Sequence, residues 1–172
     1  MPNPVFVGTR QKPGPAVVLT GLKFNEFEDV VKGKMEIDGR TGGAAIHHML
    51  KKVDIDKELK DTVASLPGMR KEKLNKANRK AKYLRALQDL KKKGLVANAS
   101  EAYIMNHVPV LPPVMRPIVP MPDGSLRFDD VNHLYQSMGI VNNKLKDNIK
   151  EIPELEQKLR EELYDILKAT AG

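Results

Sequence analysis

Few residues in this chain of 172 have the types and spacing that chemistry requires. It contains no cysteine, which excludes disulfides, Cys-based zinc sites and thiol nucleophiles. Its histidines are His47, His48, His107 and His133. Adjacent residues on a helix point about 100° apart, so His47 and His48 do not readily share a metal. One buried and one exposed imidazole is the expectation. His107 and His133 stand in no ligand or triad pattern. Gly39-Arg40-Thr41-Gly42-Gly43 is glycine-rich but lacks the Gly-Lys-Ser/Thr ending of a phosphate loop, and reads as a flexible loop. Asp129-Asp130 is an acidic pair beside a loop. A helix cap accounts for it better than magnesium, which would want further carboxylates. No nucleophile has an evident base. The reading is therefore no catalytic residue, no metal site and no cofactor.

What remains is charge. The net formal charge is +7 and the pI about 9.5. Between Arg70 and Lys93 lie eleven basic residues against Glu72 and Asp89, a local charge of +9. Between Asp147 and Asp165 the balance is −4. The basic block could meet phosphates through counterion release, with Lys76, Arg79, Lys80 and Arg85 as candidates, or form a solvated helix face.

Helices must position these residues. Aromatics are only 5% of the chain, which favours a core of Leu, Ile, Val, Met and Ala over a large β-sandwich. Residues 1–25, with Pro2, Pro4, Pro13 and Pro15 among glycines, read as a mostly extended arm. Short helices are expected over Leu22–Lys32 (burying Phe24, Phe27 and Val31), over Ala44–Val53, and after Asp54 with Ile55, Leu59, Val63 and Leu66 inward. The basic helix spans about Met69–Lys93, with Leu74, Ala77, Ala81, Leu84, Leu87 and Leu90 as its stripe and Gly94 as its stop. Tyr103–Val110 could be a strand limited by Pro109.

Residues 109–122 hold half of the twelve prolines and should form a stiff extended loop, with a turn at Pro122-Asp123-Gly124. Val131, Leu134, Met138, Val141 and Leu145 then recur in heptad fashion, and Leu155, Leu159, Leu163, Ile166 and Leu167 follow Pro153. Two such stripes joined by a short connector predict an antiparallel coiled-coil hairpin, or else two helices packing separately on the body. No run approaches the roughly 18 apolar residues of a membrane span. The N-terminus has no apolar signal core, so a soluble, cytoplasmic chain without a membrane partner is expected.

At the proline-rich loop a resemblance emerges. Val108–Pro120 (VPVLPPVMRPIVP), Asp123-Gly124, Arg127-Phe128, Asp130–Tyr135 (DVNHLY) and Asn142–Lys146 (NNKLK) closely resemble the largest (β′) subunit of bacterial-type RNA polymerase. Upstream, Gly43-Ala44-Ala45-Ile46 with Leu50, the end of the basic helix and Tyr103-Ile104-Met105 are similar more weakly. The resemblance covers about residues 26–172. It implies a mainly α fold with little β: a helical clamp-like body at 26–115, a lid-like loop at 116–128 and a clamp-helices coiled-coil hairpin at 129–172. In the family, the lid lies at the upstream edge of the RNA–DNA hybrid and the clamp helices dock the sigma factor. The implied nucleic-acid contacts are Arg116, Arg127 and Phe128. The implied partner contacts are Asn142, Asn143, Lys146, Glu156 and Leu163.

The departures are specific. A sigma-contacting arginine of the family falls at Val141, a glutamate at Glu156 and an alanine at Leu163. Two arginines following the family's tyrosine become Gln136 and Ser137, and the hairpin tip is shorter. The family's zinc-binding cysteines and magnesium-holding NADFDGD loop have no counterpart in the sequence. The resemblance thus implies a non-catalytic transcription component, at most a non-catalytic part of a DNA-directed RNA polymerase. It would be a split-subunit fragment or a sigma- or polymerase-binding mimic, a phage-encoded one included, working through sigma factor or other polymerase subunits and meeting DNA or RNA within such a complex. Two other functions compete: a stand-alone nucleic-acid-binding module built on the basic helix, and a structural helical-hairpin adaptor.

Overall fold

The computed structural model describes residues 1–148 and 153–171. It is mainly helical, with one two-stranded antiparallel sheet, and divides into two compact units, Met1–Met105 and Asn106–Gly172.

The first unit contains α1 (Pro15–Thr20), α2 (Phe24–Val31), α3 (Gly42–Lys52), α4 (Ile55–Ala64), α5 (Lys71–Lys92) and α6 (Ala99–Tyr103). Its core gathers Val17, Phe27, Val30, Ile46, Leu50, Leu84 and Leu87, each essentially without solvent contact. The expected stripe of α5 faces inward through Ala81, Leu84 and Leu87. The helix stops as expected: Gly94 N–H donates to Lys91 O at 3.0 Å and Leu95 N–H to Leu90 O at 3.0 Å, the paired bonds of a Schellman motif. On α4 the inward face is rotated from expectation. Thr62 is buried and Val63 is 37% exposed. Asp54 caps this helix by accepting from the Asp56 and Lys57 N–H groups.

Two expectations for this unit are corrected. Residues 1–25 are not an extended arm. Val7, Ala16, Val17 and Leu19 are core residues, Pro15 occupies the first turn of α1, and Asn3 N–H donates to Tyr103 O at 2.9 Å. The chain doubles back because Gly14 admits close backbone approach. Its N–H donates to Val7 O at 2.7 Å, and a Cβ there would run into the Phe6 carbonyl. Nor is Tyr103–Val110 a strand. Asn98 accepts from the Ser100 and Glu101 N–H groups and starts α6, leaving Ile104 with a single bridge to Pro2. Tyr103 lies in the core, edge-on to Phe6 with centroids 5.2 Å apart, and burial pushes its phenol up to about 12.

The second unit contains β1 (Ile118–Pro120), β2 (Leu126–Phe128), α7 (Asp130–Asn148) and α8 (Pro153–Ala171). Residues 106–115 belong to it. The proline-rich stretch, expected as loop throughout, is partly structured: a single 3₁₀ turn at Pro113–Met115 precedes β1. Proline is tolerated because the sheet has only two strands, both edges, and Pro120 ends its strand. Gly124 N–H donates to Met121 O at 3.0 Å, closing a turn with Pro122 and Asp123 at its centre. Gly124 itself takes φ 81°, which lets Met121 N–H reach Ser125 O at 2.8 Å and fixes the register Ile118↔Phe128, Val119↔Arg127 and Pro120↔Leu126.

Helices α7 and α8 pack along each other in opposite directions, with Leu134 near the start of α7 beside Ile166 and Ala169 near the end of α8. Val141 is buried on α7, and Leu159 and Leu167 on α8, in line with the heptad stripes. Tyr164, absent from the expected stripe, is the largest fully buried side chain here, with Lys168 Nζ 5.0 Å from its ring centroid. The hairpin tip, residues 149–152, lies outside the described residues.

Candidate interaction surfaces

The acidic and histidine positions with catalytic overtones serve local structure. Asp129 accepts from Val131 N–H at 3.0 Å at the start of α7. In the first unit His47 is exposed and His48 half-buried. Burial, with Arg40 and Lys52 nearby, holds the His48 imidazole below its usual pKa although Asp38 lies 3.8 Å from its Nε2. The Gly39–Gly43 stretch, expected as a flexible loop, divides: Ile37 and Arg40 exchange backbone bonds across a tight turn tied by Lys52 Nζ to Asp38 at 2.8 Å, whereas Gly42 and Gly43 open α3. Among the described residues no three His, Asp or Glu side chains gather as a metal site would need.

Three surfaces have the make-up of binding sites. One is the hairpin of β1 and β2, whose side chains all stand in solvent, Ile118, Leu126 and Phe128 among them. Arg127 is exposed on β2, and Phe128 meets His133 edge-on with centroids 6.1 Å apart. Arg116 is different. Its Nε donates to Leu111 O at 2.8 Å and its Nη1 to Asn132 Oδ1 at 2.7 Å, while its guanidinium lies 5.3 Å from the Tyr135 ring centroid. The Tyr135 hydroxyl accepts from Leu111 N–H at 3.0 Å, and Asn132 Nδ2 donates to Arg116 O at 3.3 Å. Arg116 thus pins the proline-rich segment onto the first turns of α7. Sequence reasoning missed Asn132 and Tyr135, three apart on one helix face; that spacing beside an arginine-bearing loop was the available signal.

A second surface is the helix pair. Asn142, Asn143 and Lys146 are exposed on α7, whereas Glu156 and Leu163 are half-buried on α8. Glu156 Oε1 accepts from Arg160 Nη2 at 2.5 Å, one turn further along α8. The structure therefore separates the partner-contact candidates into an exposed set and a half-buried set.

The third surface is an open groove in the first unit, between the N-terminal segment and the first half of α5. Lys76, Arg79 and Lys80 line it together with Lys73, joined by Arg10 and Lys23, which sequence reasoning did not single out. Lys80 also reaches Glu58 on α4 at 2.5 Å. Arg85 is exposed but does not line the groove; nine residues beyond Lys76 places it on the opposite side of the helix. Further along α5, Gln88 and Lys91 donate to the Asp56 carboxylate at 2.7 and 3.1 Å, and these bonds, Gln88 first, hold its pKa below the ordinary value.

No helix among the described residues is long and apolar enough to cross a membrane. No protein-family model matches the chain. Curated relatives do. The β′ subunit of DNA-directed RNA polymerase from Lactobacillus helveticus is 35% identical over 132 residues, covering 77% of the chain and 10% of that subunit. The β′ subunit of Chromohalobacter salexigens is 33% identical over 138 residues, covering 78% of the chain and 9% of the subunit. That of Baumannia cicadellinicola is 34% identical over 111 residues, 64% of the chain and 8% of the subunit. The chain therefore spans about a tenth or less of the relatives it matches. Over that span it is homologous to a fragment of the bacterial RNA polymerase β′ subunit.

Proposed function

We propose that the chain is a non-catalytic transcription component that works as the lid and clamp-helix segment of a β′ subunit, docking a sigma factor or other polymerase subunits through α7 and α8. The observation that carries this reading is the second unit itself. A proline-rich segment pinned by Arg116, a projecting hairpin and a two-helix hairpin follow one another there, in a chain homologous to β′. Val141 supports a modified rather than identical docking surface. The family's contact residue at that position is an arginine, and here a buried valine packs between the helices. Docking then falls to the exposed Asn142, Asn143 and Lys146, where contacts are steered by charge and individually modest. Glu156 and Leu163 contribute from the half-buried side of α8. Arg127 and Phe128 lie at the hairpin, where nucleic acid within an assembled polymerase would pass.

The test is capture of purified sigma factor by the immobilised chain. Binding that weakens at least about fivefold in an Asn142→Asp/Lys146→Glu variant supports the reading, since loss of rim charge contacts raises dissociation and lowers steering. Equal binding by the variant and the unaltered chain assigns the contact elsewhere.

A further inference from the structure

The groove of the first unit lies outside the lid and clamp-helix reading. Six cations line it, Arg10 and Lys23 from the N-terminal segment and Lys73, Lys76, Arg79 and Lys80 from α5, against Glu26 alone among the described residues. Lys73, Lys76 and Lys80 are spaced three and four apart and share one helix face. Lys80 is held by Glu58, and Lys23 lies 3.6 Å from Glu26. Arg10, Lys73, Lys76 and Arg79 have no ion-pair partner among the described residues.

We infer that this groove binds the phosphodiester backbone of a single-stranded nucleic acid. Cations on both walls suit a chain carrying one negative charge per residue. Walls on two sides, the N-terminal segment and α5, suit one strand lying between them, and a duplex of the same length that bound more tightly than the strands would overturn that choice. Val18, Leu22 and Phe24 leave apolar surface in the wall, but six cations facing Glu26 favour a polyanion over an amphipathic protein helix. Phe24 is the one aromatic ring available for stacking, so binding is mainly electrostatic and insensitive to base sequence. Arg85 takes no part, and the N-terminal segment, through Arg10, does.

The test uses the full chain and labelled 12-nucleotide strands of oligothymidine and oligouridine, followed by anisotropy at several salt concentrations. Four unpartnered cations predict a slope of log affinity against log salt of about −3, at roughly 0.7 per phosphate. Lys76→Gln/Arg79→Gln should weaken binding about tenfold or more at 0.1 M salt and bring the slope to about −1.5. Arg10→Gln, on the other wall, should reduce both in the same sense. Arg85→Gln/Lys92→Gln removes as much charge from the same helix outside the groove, and should change affinity less than about threefold. Binding of either strand with this pattern supports the inference. It is overturned if the control pair loses as much as the groove pair, if neither strand binds, or if a 12-residue oligoglutamate binds as tightly as the strands.

Discussion

Arg116 illustrates how a residue expected at one surface is used at another. A guanidinium holds five donors in a rigid fork, and here it spends two on Leu111 O and Asn132 Oδ1 while stacking on Tyr135. Replacing it with alanine should release residues 109–117 from α7 and destabilise the second unit by about 1.5–3 kcal/mol, the scale of a charge-assisted hydrogen bond. Lysine should not restore it, because an ammonium lacks the fork. Hydrogen exchange at the Leu111 and Met115 amides measures this; unchanged protection in Arg116→Ala would contradict the pin. Asp56 supports a pH prediction. Its folded pKa is lowered by Gln88 and Lys91, so its stabilising effect is complete above the ordinary carboxylate value and is lost as pH falls through the lowered one. The Tm difference between the unaltered chain and Asp56→Asn should therefore be largest near neutrality and close in strong acid. A difference that stays constant with pH would rule out the carboxylate as its source.

Among the elements, α5 was readable because Leu and Ala at three- and four-residue spacing repeat from Leu74 to Leu90, nearly five turns, long enough for the period to be unambiguous. The hairpin stripes of α7 and α8 were readable for the same reason, but Tyr164 was not. A tyrosine has an apolar body and a polar tip, and spacing alone does not say which wins. Thr62 replaces Val63 as the buried residue of α4 for a related reason: both are β-branched and of similar size, so a rotation of one position changes little volume. Residues 1–25 were misread because proline and glycine are as frequent in tightly folded loops as in free arms; only the close approach at Gly14 tells them apart. The start of α6 was in the sequence, as Asn98 followed three residues later by Glu101. If the N-terminal segment is core, Leu19→Ala should cost about 2–4 kcal/mol in thermal or denaturant unfolding. A cost under about 0.5 kcal/mol would restore the extended-arm reading.

At the scale of the whole molecule, the charge separation seen in the sequence acquires places. The basic block is α5, part of it tied to Glu58 and Asp56 of α4 and part of it lining the groove; the acidic stretch includes much of α8. Exposed apolar side chains gather between Val108 and Phe128, with Val114 at 84% and Met115 at 62%. An apolar surface so placed beside a helix pair is what a component of a larger assembly presents. Homology to β′ was legible from the proline-rich motif, whereas the groove was not, because Arg10 and Lys23 lie far from α5 in sequence and carry no pattern of their own. Co-purification of the tagged chain from its native cells tests whether it works inside transcription machinery, as proposed. Retention of sigma factor or of RNA polymerase subunits through a moderate-salt wash is the predicted result. Recovery of the chain with neither would contradict it.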